Sequence, residues 1–378
     1  MGTKQYKVLG VMSGTSLDGI DIAYLEFEYI NNWKATILHS ETIPYTKEWY
    51  DLLKNSAELP LKDIYNLDER YTEYLAGIIQ QFIRENTIEH LDAVCSHGHT
   101  VLHQPHKGLT VQIGNLAKLA KLIQQKVVCD FRVQDVELGG QGAPLVPIGD
   151  RLLFGEYNYC LNLGGFANIS KEIEIEVGVE IEHEIENDLS IESRKKSKIK
   201  RVAYDICPMN TVLNEYASRL GVTFDSGGEI ARNAEVNQEL LARLNGLNFY
   251  KQQPPKSLGI EWVNSIIFPL LNESGCTSEE IIATFTAHVA FQLSENIQNN
   301  SAKKVLVTGG GAYNSYLIEL LQQKTAAKIV LPQTDLIEFK EALIFGFLGV
   351  LRLENQINVL ASVTGASKNH SSGKIYLP

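Results

Sequence analysis

No apolar run in this 378-residue chain approaches the ~20 residues that a membrane-spanning helix needs. Positive charge is not in excess either. Against 45 Asp and Glu there are 34 Lys and Arg, a formal net charge of −11, which lacks the footprint of a general nucleic-acid binder. An anionic substrate stays compatible with that balance, because a site needs only local donors. Cysteine is scarce: Cys95, Cys129, Cys160, Cys207 and Cys276 are widely spaced and odd in number. They read as free thiols of a reducing compartment, not as a disulfide framework. Met1 to Leu9 lacks the charged-then-apolar pattern of a secretory signal. Tyr6 stands where N-myristoylation expects Ser or Thr. The expectation is a soluble, cytoplasmic protein with no membrane and no nucleic-acid partner.

What is present is ordinary for a globular chain, with 44% hydrophobic and 21% charged residues. The length suits two domains or one large one. Tyr6 to Met12 and Asp21 to Phe27 read as a hairpin around a Gly-rich turn. Residues 61–87 and 113–126 have helical periodicity. Leu91–Cys95, Val127–Phe131, Tyr159–Leu163 and Lys304–Thr308 read as buried strands. Helices are expected over Asn210–Leu220, over 277–299 with Thr277 or Ser278 as N-cap, over Asn314–Gln323 and over Glu341–Leu353. Strands running into polar or Gly turns in both halves imply two α/β domains with ligands bound between them. Residues 171–200 alternate charged and aliphatic side chains. They read as a two-stranded ribbon or a charged surface excursion, with no chemistry of its own.

Three Gly-rich turns follow three of these strands. The first is Gly10-Val11-Met12-Ser13-Gly14-Thr15-Ser16-Leu17-Asp18-Gly19-Ile20-Asp21. Backbone N–H groups and hydroxyls there suit a phosphate, or simply a tight turn. It is no Walker A loop, since no Lys follows the second Gly. The second is Leu161-Asn162-Leu163-Gly164-Gly165-Phe166-Ala167-Asn168, and the third Val307-Thr308-Gly309-Gly310-Gly311-Ala312-Tyr313-Asn314. Each lets a ligand approach the backbone closely. In this order they resemble the two phosphate segments and the adenosine segment of the actin, Hsp70 and sugar-kinase superfamily.

Further strings narrow the resemblance. They are Ser96-His97-Gly98-His99-Thr100-Val101-Leu102-His103-Gln104-Pro105, which looks like a substrate-side loop, and Asp130-Phe131-Arg132. They continue with Gly139-Gly140-Gln141-Gly142-Ala143-Pro144-Leu145, Tyr204-Asp205-Ile206-Cys207-Pro208-Met209-Asn210, Lys256-Ser257-Leu258-Gly259 and Glu341-Ala342. Together they resemble the anhydro-N-acetylmuramic acid kinase family from about Lys7 to about Arg352, apart from 171–200. Where that family commonly reads Asp-Thr-Gly-Pro-Gly-Asn, this chain has Asp205-Ile206-Cys207-Pro208-Met209-Asn210. His99 stands where Gln is common.

The resemblance implies a two-domain actin-like (ribonuclease H-like) α/β fold with an interdomain cleft. The domains expected are 1–133 and 134–378, with 171–200 a surface insertion and the C-terminal helix free to pack back on the first. The implied activity is ATP- and Mg2+-dependent opening of 1,6-anhydro-N-acetylmuramic acid with phosphorylation of O6, in peptidoglycan recycling, by a homodimer. A catalytically degenerate nucleotide-binding relative, or a kinase for another amino sugar, is the alternative.

Residue by residue, Asp205 aligns with the family's catalytic base, although an Asp ahead of a helix also serves as an N-cap. Glu341 is expected to open its helix near phosphates and metal, or merely to complement the macrodipole. Gly14, Thr15, Ser16, Leu17, Asp18, Gly19, Gly164, Gly165, Asn168, Gly309, Gly310, Gly311 and Asn314 would hold ATP. His97, His99, Arg132, Gln141, Gly142 and Ala143 would hold the sugar. Arg132 suits a carboxylate through its planar fork, or an ion pair with Asp130 or Asp135. Asp18, with Asp21 nearby, would position hydrated magnesium. His97-x-His99 with His103 and His106 makes a poor zinc motif.

Overall fold

Alternation builds the first sheet. In β1 (Lys4–Ser13), Val8 and Met12 turn to one face while Leu9 and Val11 turn to the other, and all four are buried. Both faces are therefore covered. The computed structural model describes residues 4–14, 17–185 and 188–378, with side chains outside 177–196. Thr15 and Ser16 of the first Gly-rich turn lie outside the described residues.

β2 (Gly19–Tyr29) and β3 (Trp33–Pro44) continue β1 as an antiparallel meander. β4 (Ala93–Gln104) joins β1 in parallel, β5 (Leu109–Ile113) folds back on β4, and β6 (Val127–Cys129) lies parallel to β4. The second sheet is built from β7 (Tyr159–Leu163), β8 (Phe166–Ile185), β9 (Asp188–Pro208), β10 (Lys304–Thr308) and β11 (Lys328–Val330). Its order, β11-β10-β7-β8-β9, repeats β6-β4-β1-β2-β3 of the first. In each, a three-strand meander is flanked by two strands parallel to its first strand. This repeated plan is the actin-like α/β architecture expected from the Gly-turn order.

The helix Leu61–Glu85 covers one face of the first sheet through Ile64, Leu67, Tyr71, Leu75, Ile79 and Phe82. The helix Thr334–Leu353 covers the other, packing Leu343, Phe345, Phe347 and Leu351 against Val8, Leu25, Phe27 and Cys95. Close approach is possible because Gly10 faces that helix: a Cβ there would lie 2.0 Å from the Ala342 carbonyl oxygen. β12 (Lys374–Tyr376) then adds to the first sheet, antiparallel to β6. The second sheet packs on the helices Asn210–Arg219, Gln238–Asn245, Ser278–Glu295 and Ser315–Lys324.

Thr277 caps its helix as expected, in a reciprocal box with Glu280. Other boundaries differ from the sequence reading. Residues 96–104 belong to β4 and are no loop; a bulge near Val101 keeps the segment in the sheet. The periodic stretch 113–126 yields only the helix Lys118–Ile123 after the end of β5. The C-terminal helix starts at Thr334, with a break in its torsions at Phe339. That break divides two helices, so Glu341 stands in the first turn of the second, as expected, and the macrodipole reading remains beside the catalytic one. β8 and β9 form the expected two-stranded ribbon, paired continuously out to Ile185 and Asp188.

Candidate active site

A cavity of about 700 Å³ lies between the sheets. β2 supplies Asp21, β4 His103, β7 Asn162, β8 Asn168 and β9 Asp205; Gly309 follows β10, and the C-terminal helix adds Lys340 and Glu341. Gln141 and Ala143 complete the wall. The structure thus brings Asp205, Glu341, Asn168, Gly309, Gln141 and Ala143 of the expected site to one cleft.

Asp205 is aimed by its neighbours. In the ladder it faces Asn168. Its own N–H donates to the Lys256 carbonyl at 3.1 Å, and the Leu258 N–H donates to Oδ2 at 2.8 Å. Lys256-Ser257-Leu258-Gly259 is therefore the brace of this carboxylate. Burial raises the Asp205 pKa, against the lowering effect of the Leu258 bond. Asp205 caps no helix: Asn210–Arg219 begins after Met209. Ile206, Cys207 and Met209 are buried, and Met209 packs on Gly311. The residues that replace the family's glycines are thus core packing. The Met209 and Thr211 N–H groups donate to the Gly165 carbonyl, and the Asn210 N–H to that of Gly164.

Glu341 opens into the cleft yet has protein on most sides, and burial raises its pKa; Arg132 and Lys340 oppose the rise. Asp21 is raised to about 6, first by burial and then by Asp18, Glu341 and Glu338, although Thr42 donates to it at 2.6 Å. Lys340 forms a buried ion pair with Asp150 at 2.7 Å, and Arg201 stands 3.9 Å from the same carboxylate.

The remaining expected residues sit in supporting positions. The Arg132 Nε–H donates to His97 Nε2 at 2.8 Å, and His97 Nδ1–H donates to the Gly98 carbonyl at 2.9 Å, which fixes a neutral tautomer. Burial and the Arg132 charge hold His97 well below the usual range. The other arm of Arg132 donates to the Gly142 carbonyl at 2.7 Å. Burial brings its pKa down to about 10. Among the described residues Arg132 forms no ion pair with an Asp: Asp130 pairs with Lys374 at 2.6 Å, and Asp135 accepts from Gly142 N–H and Thr364 Oγ. Both backbone groups of Gly142 are thus committed inside the protein. His99 Nδ1 meets Ser13 Oγ at 2.9 Å, and Ser13 meets Tyr45, itself bonded to Tyr71. Burial takes His99 down to about 4. Neither His97 nor His99 lines the cavity.

Among the nucleotide candidates, Gly309 has φ of 82° and lets Asn162 approach, since a Cβ there would lie 2.6 Å from Asn162 Oδ1. Gly310 faces open space. Asn314 caps the helix Ser315–Lys324 through its side chain and is spent there. Leu17 has φ of 61° and closes the first turn by donating to the Gly14 carbonyl; the Gly19 N–H donates to Asp18. Gly164, Gly165, Gly311 and Asn314 do not line the cavity.

Of the other lining residues, the sequence offers His103 only within a poor zinc motif and Lys256 only within a family string, and gives Asp150, Glu338 and Lys340 no role. A signal for Glu338 and Lys340 is their place among the charges Glu338, Lys340 and Glu341 just ahead of an apolar run.

A protein-family model described as anhydro-N-acetylmuramic acid kinase matches residues 6–175 and 193–378. This chain belongs to the anhydro-N-acetylmuramic acid kinase family. A family member from Pseudomonas savastanoi pv. phaseolicola is 32% identical over 397 residues, covering 97% of this chain and 98% of the relative. The Pasteurella multocida member is 31% identical, covering 97% and 96%. That of Bacillus cereus (strain Q1) is 28% identical, covering 98% and 99%. The family match omits only 176–192 within its span, the outer part of the β8–β9 ribbon. It runs past Arg352 to 378. That extension makes structural sense: β12 completes the first sheet, and Thr364 holds Asp135 and accepts the Gln141 N–H at its carbonyl. The family's Gly-Gly-Gln-Gly-Ala-Pro-Leu string is thus anchored by residues the sequence reading left out.

Proposed function

We propose that this chain is an ATP-dependent kinase that opens 1,6-anhydro-N-acetylmuramic acid with water and phosphorylates O6, giving N-acetylmuramic acid 6-phosphate and ADP. The observation that carries the chemistry is Asp205: a braced, partly buried carboxylate with a raised pKa on the wall of the cleft between the two sheets. The raised pKa makes this carboxylate a stronger base toward water than a free aspartate.

In the proposed reaction, Asp205 accepts a proton from water as the water oxygen bonds to the anomeric carbon. The bond from that carbon to O6 breaks, and O6 takes the γ-phosphoryl group while its bond to ADP breaks. Gln141 and Ala143 orient the sugar. Arg132, held by His97 and Gly142, stiffens that wall and contributes positive charge from behind it. The Gly309 turn and Asn168 border the nucleotide side. Closure of two lobes, one on each sheet, would exclude bulk water.

Among the described residues, no three His, Cys, Asp or Glu side chains converge as a metal cage. Asp18, Glu341 and Glu338 nevertheless each raise the pKa of Asp21. That donor set fits Mg2+, which takes one or two carboxylates with waters and phosphates. When bound, the ion would neutralise phosphate charge. The same reading makes the protein a cytoplasmic homodimer, checked by light scattering. No described helix is long and apolar enough to cross a membrane.

The test is turnover with ATP and magnesium, reading O6 and the anomeric position by NMR. The 6-phosphate with a free anomeric hydroxyl is expected. Asp205→Asn is expected to keep ATP affinity and lose ~10²–10⁴ in turnover. Near-wild-type turnover of that variant would sink the base assignment.

A further inference from the structure

A second cavity, of about 1150 Å³, opens beside the first. Gln141, Tyr204 and Lys256 border both. Its wall carries Lys171, Lys200, Lys251 and Lys256 against one lining carboxylate, Glu295. Among the described residues none of these lysines pairs with a carboxylate.

Two of them are held in place by other means. Lys171 lies over the rings of Tyr159 and Tyr204, at 5.9 and 5.5 Å, and donates to the Asn296 carbonyl at 3.3 Å. Lys256 lies 4.7 Å over Phe249 and donates to its carbonyl at 3.3 Å. Burial lowers the pKa of both. An ammonium partly out of water, without a counter-charge, is stabilised by an arriving anion. The wall is also rigid. His288 Nδ1–H donates to Asn245 Oδ1 at 2.7 Å, so its Nε2 accepts from the Tyr250 hydroxyl at 2.9 Å.

We propose that this second cavity is an anion subsite beside the sugar position, taking a small molecule with two or more carboxylate or phosphate groups. Only its place beside the sugar rests on the kinase reading. The anion has two possible sources: a free polyanion, or an acidic arm extended from the lactyl carboxylate of the sugar past Gln141 and Tyr204.

The test uses the full chain, the exposed-site variant Lys251→Gln and the double variant Lys171→Met/Lys251→Gln. Citrate binding is measured by calorimetry at low and high salt. Turnover is compared for the plain anhydro sugar and for the sugar amide-linked through its lactyl group to glutamate. Removing two lysines is expected to weaken the anion by about tenfold, while the plain sugar keeps its kcat/KM. Loss of citrate binding identifies a free polyanion. A selective loss of kcat/KM for the glutamyl sugar identifies the arm. Citrate affinity and glutamyl-sugar kinetics unchanged in both variants overturn the subsite. If wild type turns over no sugar while citrate still binds through the lysines, the kinase reading fails and the subsite stands.

Discussion

Asp150→Asn keeps the shape of a side chain and removes the one carboxylate between two buried cations. Lys340 Nζ is 2.7 Å from it and Arg201 3.9 Å, with side-chain exposures of 6% and 2% against 3% for Asp150. The variant leaves both cations buried without that counter-charge. Breaking a buried pair in this way destabilises by ~3–5 kcal/mol. Unfolding entropy of ~2.1 cal/mol/K per residue gives about 0.8 kcal/mol/K for 378 residues. If both lobes unfold together, Tm falls by about 4–6 °C.

The pH dependence has a definite sign. In the wild type, burial alone would lower the Lys340 pKa, but Asp150 and Cys160 outweigh it and the net shift is upward. That stability is present below the unfolded lysine pKa and is lost as pH rises through the still higher folded value. Without Asp150, burial prevails and the folded pKa drops below the unfolded one. The deficit then shrinks as pH rises toward the lysine range. Scanning calorimetry at neutral and alkaline pH reads both effects. Asp150→Asn/Lys340→Met, which removes one stranded cation, is expected to recover part of the loss. Melting of Asp150→Asn within about 1 °C of wild type at neutral pH, where ~4 °C or more is expected, would refute the reasoning. So would a deficit that grows with pH.

Gly10→Ala would set a Cβ 2.0 Å from the Ala342 carbonyl, backbone against backbone. Melting should show a loss of ~1–3 kcal/mol, and turnover should fall because Glu341 precedes the displaced residue. Asp21, raised to about 6, should release a proton when magnesium binds near that pH and none at pH about 8, where it is already ionised. Calorimetry in two buffers of different ionisation enthalpy reads the difference. Glu176 pairs with Ser197, so replacing residues 177–196 by Asn-Gly closes the ribbon with a favoured hairpin turn. Activity and Tm should stay at wild-type values, checked by the kinase assay and a melt.

What was legible in the chain was local. β7 and β10 begin and end where their apolar runs do, and Thr277 carries its cap signal with Glu280 three residues on. The three Gly-rich turns announced the repeated sheet plan because each follows a core strand. The short helix before the Phe339 break was hidden because Thr334 to Glu338 mixes polar and apolar residues over barely more than one turn. Other features depend on residues far apart in sequence. His97 is neutral and substrate-free in appearance only once Arg132 is beside it. Asp150, Arg201 and Lys340 come from three separate segments. Met209, which stands where the family commonly has glycine, is a core residue packed on Gly311.

The return of Thr334–Leu353 to the first sheet has a consequence during synthesis. β6 ends at Cys129, and the helix that covers Val8, Leu25, Phe27 and Cys95 begins only at Thr334. At ~5–20 residues per second, the ribosome needs about 10–40 s to make the chain between them. Throughout that interval the apolar sheet face lacks most of its native cover, with only residues from Leu145 to Phe154 in place. The second sheet, by contrast, has all its strands emerging before the helix does. The nascent chain therefore completes its later half first, and a holdase that shields the β1–β2–β4 face would raise yield more than one acting on the finished protein.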